Sequence, residues 1–98
     1  MILLCLLNDD GSIASRWEVG DKPLTVGRGD MADVRIDDRY ASSIHARVFS
    51  REGRFFVEDM NSTNGTYLNG RKVNGQEPLN PRDRIQIGDT RFRYEPGR

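Results

Sequence analysis

Three short stretches carry side chains that plain connectors do not need. Gly27-Arg28-Gly29-Asp30 follows the apolar segment Leu24–Val26, and Ala41-Ser42-Ser43-Ile44-His45 precedes Ala46–Ser50. Asn61-Ser62-Thr63-Asn64-Gly65-Thr66 links the Arg54–Glu58 segment to the one ending at Leu68. Together they offer a guanidinium, several short hydroxyls, amides and glycine-flexed backbone. Arginine presents a planar fork of N–H donors matched to an oxyanion, and a Ser or Thr hydroxyl donates to a further oxygen. Glycine lets backbone N–H groups approach closely. This inventory suits an anion such as phosphate. Loops of β-proteins are also rich in Gly, Ser and Asn for purely structural reasons, so chemistry alone leaves both readings open.

Composition removes most rival chemistries. The 98 residues are enough for one ordinary domain and too few for two separate cores. Fifteen Lys and Arg balance fifteen Asp and Glu, so there is no basic surplus of the kind that drives general binding to nucleic acid or membrane surfaces. One cysteine cannot close an internal disulfide, and one cysteine with one histidine does not make the usual zinc site. A nucleophile–base pair would have to use His45, with no second histidine beside it. The acidic pairs Asp9-Asp10, Asp37-Asp38 and Glu58-Asp59 read as turn or strand-end charges. The run MILLCLL at Met1–Leu7 is about a third of a membrane-spanning helix and is followed at once by NDDGS, so it reads as a buried first strand. A reduced Cys5 within it suits the cytoplasm.

The elements that must hold these loops are strands. Helical periodicity is nearly absent, whereas Asp10-Gly11, Glu52-Gly53, Asn64-Gly65, Asn69-Gly70 and Asn74-Gly75 punctuate short apolar segments with residues that tolerate positive φ. Strands are expected near Ile2–Leu7, Ala14–Val19, Leu24–Val26, Val34–Ile36, Ala46–Ser50, Arg54–Glu58, Thr66–Leu68, Lys72–Val73, Arg84–Ile87 and Arg91–Tyr94. Pro23, Pro78, Pro81 and Pro96 are expected outside them. Ile85 and Ile87 alternate with Arg84 and Gln86, and Phe92 and Tyr94 with Arg91 and Arg93, giving each strand one core face and one wet face. The expectation is an all-β sandwich of two sheets, with Pro96-Gly97-Arg98 as a short terminal linker. Gly27-Arg28-Gly29-Asp30-Met31-Ala32 also fits a dinucleotide fingerprint, but that requires a following helix, and Asp33-Val34-Arg35-Ile36 reads as strand. Arg28-Gly29-Asp30 as an adhesion tripeptide reads as coincidence. The two Asn-x-Thr-type glycosylation patterns at Asn61 and Asn64 lack a secretory signal.

Gly27-Arg28, Ser42-x-x-His45, Ser62-Thr63-Asn64-Gly65-Thr66 and the following Asn69-Gly70, in this order and spacing, resemble the forkhead-associated (FHA) domain over roughly Leu4 to Tyr94. The resemblance implies one FHA domain over 1–98, with its core at about 4–94. It implies an FHA-type β-sandwich of about eleven short, mainly antiparallel strands in two sheets. It also implies binding of phosphothreonine peptides in Ser/Thr kinase signalling, without catalysis, cofactor or metal, by a cytoplasmic monomer that contacts neither nucleic acid nor membrane. FHA domains are among the phospho-motif readers that use arginine. On this pattern Arg28 pairs with the phosphate, Ser42 donates its hydroxyl, Thr63 reaches the phosphate or supports its loop, and Asn64 holds the peptide backbone. Gly27, Gly65 and His45 are structural supports. Ser43 departs from the family, whose members often carry Arg or Asn there, and its hydroxyl donates over a shorter reach. Arg39 and Tyr40 stand where residues flanking the phosphothreonine would be selected. The alternative is a phosphate-independent scaffold on the same fold, using an apolar sheet face.

Overall fold

A computed structural model describes residues 2–96; Met1, at the head of the apolar run, and Gly97 and Arg98, in the expected linker, lie outside the described residues. Eleven strands follow one another along the chain: β1 (Ile2–Leu7), β2 (Ile13–Val19), β3 (Leu24–Gly27), β4 (Val34–Arg35), β5 (Ala46–Arg51), β6 (Arg54–Asp59), β7 (Thr66–Leu68), β8 (Arg71–Lys72), β9 (Gln76–Pro78), β10 (Arg84–Ile87) and β11 (Thr90–Pro96). They form a six-stranded sheet in the order β2-β1-β11-β10-β7-β8 and a five-stranded sheet in the order β4-β3-β5-β6-β9. All pairs are antiparallel except β3 with β4. Among the described residues no helix is long and apolar enough to cross a membrane.

Period-two alternation builds the core. Leu4, Ile85, Ile87, Phe92 and Tyr94 from one sheet meet Val26, Ala46, Val48 and Val57 from the other, all buried. Each Val, Leu, Ile or Phe among them contributes on the order of 1.5–3 kcal/mol when fully withdrawn from water. Trp17 and Phe92 add an edge-to-face pair with centroids 6.4 Å apart. On the outer face of the smaller sheet, stacked Phe49 and Phe56 are covered by the guanidinium groups of Arg47 and Arg51, at 4.4 and 4.6 Å from the ring centroids. Arginine stems and cations thus seal an aromatic pair that would otherwise face water.

Two turns form as their residues dictate. Glu52-Gly53 (φ 53° and 77°) joins β5 to β6, and Asn69-Gly70 (φ 51° and 85°) joins β7 to β8, both left-handed at two consecutive positions as two-residue hairpins demand. The proline expectation needs correction. Pro78 lies within β9 and Pro96 closes β11. β9 is the edge strand of its sheet, where a residue without an N–H leaves no inner ladder bond unmade. That proline, with the shortness of the strand, hid β9 from the sequence pattern. The Lys72–Val73 strand sits one residue earlier, at Arg71–Lys72.

Candidate functional site

The β3–β4, β4–β5 and β6–β7 connections converge at one end of the sandwich. Arg28, Arg39, Tyr40, Ala41, Ser42, Ser43, Thr63 and Asn64 line a single cleft there. The arginine, both serines, Thr63, Asn64 and the pair Arg39 and Tyr40 singled out in the sequence therefore surround one space.

Backbone bonds lock the first two loops together. The Arg28 N–H donates to the Ser42 carbonyl at 2.9 Å and the Gly29 N–H to the Ser43 carbonyl at 3.0 Å. Gly27 makes this approach possible, because a Cβ there would overlap the Ser43 carbonyl oxygen and stand 2.9 Å from that of Ser42. The side chain of Arg28 is exposed beside this junction and has no acidic partner among the described residues. A guanidinium held by its backbone and free at its tip can meet an anion without first breaking an ion pair.

His45, fully buried, ties the second loop to the third. The Ser42 N–H donates to its Nδ1 at 3.0 Å, so Nδ1 carries the lone pair. Nε2 then carries the proton and donates to the Gly65 carbonyl at 2.8 Å. The imidazole faces the loops' backbone, not the cleft. Gly65 (φ 88°) takes a left-handed conformation at this point.

The third loop is organised by Asp59, at the end of β6. Its carboxylate accepts from the Ser62 N–H at 3.0 Å, the Ser62 hydroxyl at 2.5 Å and the Thr66 hydroxyl at 2.7 Å, while the Gly65 N–H donates to the Ser62 Oγ at 2.9 Å. Burial pushes the Asp59 carboxyl up, but the hydrogen bonds from Ser62 and Thr66 outweigh it and hold the group below the ordinary carboxylate value. This loop then presents the Thr63 N–H to the Ser42 Oγ at 3.1 Å. Asn64 directs its side-chain amide to the Tyr40 carbonyl at 2.8 Å, leaving its Oδ1 as an acceptor at the rim.

Asp38, only 6% exposed, supports the rim from below. It accepts from the Tyr40 N–H at 2.9 Å, the Asp89 N–H at 2.8 Å and the Thr90 hydroxyl at 2.7 Å, clamping the β4–β5 loop to the β10–β11 turn. Burial raises its pKa, and these donors more than offset that. A Cβ at Gly88 would stand 2.5 Å from the Asp38 Oδ1. Arg39 donates to the Tyr40 hydroxyl at 2.9 Å and lies 5.0 Å over its ring, which ties the two side chains together at the cleft edge.

Asp38 and Asp59 are turn and strand-end charges, as the sequence suggests, but each also organises a cleft loop, which that reading missed. A signal existed for Asp59. An Asp with Ser three residues later has the spacing of a side-chain cap, in which the carboxylate accepts from the N–H three positions on. The bonds from Asp38 to Asp89 and Thr90 span more than fifty positions and leave no local trace.

The architecture and the loop cleft define a small all-β module whose polar site is built entirely from connectors. The family model of the FHA domain matches residues 24–88. The chain is 36% identical over 92 residues to the FHA domain-containing protein FhaB of Mycolicibacterium smegmatis, covering 93% of this chain and 59% of that protein. It is 40% identical over 83 residues to the oxoglutarate dehydrogenase inhibitor of Corynebacterium glutamicum, covering 85% of this chain and 57% of the inhibitor. It thus spans little more than half the length of these relatives. A structure from work on phosphothreonine-dependent FHA domain interactions superposes with TM-score 0.86 at 28% identity, covering 99% of this chain and 97% of the other. The FHA domain of the CT664 protein from Chlamydia trachomatis gives TM-score 0.88 at 26% identity, covering 99% and 98%. The chain belongs to the FHA domain family.

Proposed function

We propose that this chain is a phosphothreonine-peptide-binding module that links a phosphorylated partner to Ser/Thr kinase signalling, acting by recognition and not by catalysis. The observation that carries the reading is the convergence of Arg28, Ser42, Ser43, Thr63 and Asn64 from three connectors on one cleft. A phosphate carries about −1.5 to −2 charges at neutral pH and three acceptor oxygens. In this reading Arg28 supplies a bidentate fork, Ser42 and Ser43 donate hydroxyl protons, and Thr63 adds its hydroxyl from the opposite rim. The Asn64 Oδ1 accepts from the peptide backbone. Gly27, His45 and Gly65 hold the loops in place. Arg39 and Tyr40 select the residues beside the phosphothreonine, with Arg39 favouring an acidic side chain.

Residues 1–98 act as one domain with its core at about 4–94, monomeric and cytoplasmic, and engage neither nucleic acid nor membrane. The likeness to a structure from work on phosphothreonine-dependent interactions supports the ligand class. The phosphate-independent scaffold is less well supported. Among the described residues the large exposed hydrophobics are Met31, Tyr40 and Met60, all in connections, so no apolar sheet face is on offer.

The test is capture from one peptide pool made in three forms: phosphothreonine, phosphoserine and unmodified. The reading expects retention of the phosphothreonine form alone. Equal retention of the unmodified form overturns it.

A further inference from the structure

The outer face of the six-stranded sheet carries a feature that the loop cleft does not use. The registers Cys5↔Arg16, Cys5↔Arg93 and Arg84↔Arg93 set Arg16, Cys5, Arg93 and Arg84 in one row across β2, β1, β11 and β10. Their chain neighbours Leu4, Phe92 and Ile85 point into the core, so these four point out. Arg84 and Arg93 are thus like charges directly opposite one another, an arrangement that destabilises a sheet unless an anion lies between them. Arg82 joins them, and Arg82, Arg84, Arg93 and Glu95 line one cleft.

Of the arginines in this row and cleft, only Arg93 has an acidic partner among the described residues. Arg16, Arg82 and Arg84 have no acidic group within 4.0 Å among the described residues. Arg93 has Glu95, with Nε 2.7 Å from Oε1. Its N–H is not directed at that oxygen, so the buried Nε lacks a hydrogen-bond partner. The cleft lies at the start of β10 and the end of β11, whereas the turn clamped beside Tyr40 lies at the other end of these strands. It is therefore separate from the loop cleft.

We infer that this cleft is a second docking surface, for an acidic protein segment whose Asp or Glu carboxylates insert between Arg82, Arg84 and Arg93. Charge complementarity selects the occupant. Glu18 and Glu95 stand on the same face, two residues along their strands from Arg16 and Arg93, with Glu95 lining the cleft beside Arg93. They would repel a continuous phosphodiester backbone, while spaced carboxylates on a peptide can meet Arg82 and Arg84 away from them. The chain's zero net charge gives a nucleic acid no general steering. Firm membrane binding adds inserted apolar side chains to charge attraction, and the exposed Met31, Tyr40 and Met60 do not line this cleft. This inference does not depend on the phosphothreonine reading.

The test is proton–nitrogen NMR of the arginine Nε–H and backbone amides during titration with hexaglutamate, at low and at raised salt. Shifts are expected at Arg82, Arg84 and Arg93, weakening with salt. The double variant Arg82→Asn, Arg84→Gln should raise the dissociation constant about fivefold, the scale of two exposed ion pairs. Asparagine suits position 82 because Arg82 sits at φ 71°. Arg84→Glu, a single exposed substitution, should do the same, and Arg28→Ala should leave hexaglutamate binding unchanged. Shifts confined to Arg28, unchanged affinity in both variants, or a response to phosphatidylserine vesicles or a DNA duplex but not to hexaglutamate would each overturn the inference.

Discussion

The backbone N–H of Thr63 donates to the side-chain oxygen of Ser42 at 3.1 Å, joining two loops that are 21 positions apart in sequence. A serine hydroxyl has one proton and two lone pairs. With one lone pair engaged by Thr63, the proton is left to donate, and the loop that carries Thr63 fixes the direction of that oxygen. Ser42 therefore pins the two loops together, and in the proposed reading its free proton donates to the phosphate.

Ser42→Ala should cost about tenfold in phosphopeptide affinity, the loss of one charge-assisted hydrogen bond of about 1.5 kcal/mol. It should also leave the Thr63 N–H without its partner. Titration calorimetry reads the first effect, and loss of hydrogen-exchange protection at the Thr63 amide reads the second.

Gly27→Ala should destabilise the fold by about 1–3 kcal/mol, the range for forcing extra atoms into a packed site. The added methyl overlaps the Ser43 carbonyl, which is backbone and cannot rotate away. Urea unfolding should show a lower midpoint with unchanged slope. An Ala variant as stable as the parent would mean that the two loops do not approach so closely.

Acid should loosen the cleft loops before neutral or mildly alkaline conditions do. Asp38 and Asp59 both have folded-state pKa values below the ordinary 3.8. A depressed carboxyl contributes stability that is present in full above its unfolded value and is lost as pH falls through its folded value. Stability should therefore drop below about pH 4, and Asp59→Asn should flatten that drop. The Ser62 and Thr66 hydroxyls both donate to Oδ1 and the Ser62 N–H donates to Oδ2, so an amide whose oxygen keeps the two hydroxyls sets its NH2 group against the Ser62 N–H. The variant should therefore also be about 1–3 kcal/mol less stable at neutral pH. Circular dichroism across an acid titration of both proteins checks this.

Phosphopeptide affinity should itself fall as pH drops through about 6, the second pKa of the phosphate, and should weaken with salt. This lies well above the window in which Asp38 and Asp59 titrate, so ligand protonation and loop loosening separate on the pH axis. Titrations between acid and neutral pH, with folding monitored in parallel, give the comparison. Affinity constant across that range would contradict a dianion as the bound species.

Much of this was legible along the chain because the rules involved are local. Alternation at Arg84–Ile87 and Arg91–Tyr94 named the core faces, and Asn69-Gly70 and Glu52-Gly53 named their hairpins. The side chains that line the cleft were legible because Arg, Ser, Thr and Asn in turn-rich stretches have donors to offer. What stayed hidden depends on distance in sequence. The Asp38 bonds to Asp89 and Thr90, the need for Gly27 beneath Ser43, and the arginine row built from β2, β11 and β10 arise only from strand pairing. Pro78 misled because the rule against proline in strands is a rule for central strands, and sequence does not say which strand is at an edge.

The most direct test of the central claim is calorimetric titration of one phosphothreonine peptide against the parent chain and Arg28→Ala. Arg28 is exposed, unpaired among the described residues, and held through its backbone, so its truncation removes ligand contacts and leaves the loops standing. A bidentate contact is worth at least about 1.4 kcal/mol, which predicts a loss of about tenfold or more with the unfolding midpoint unchanged. Undiminished affinity in the Arg28→Ala variant would contradict the assignment of this cleft to phosphate.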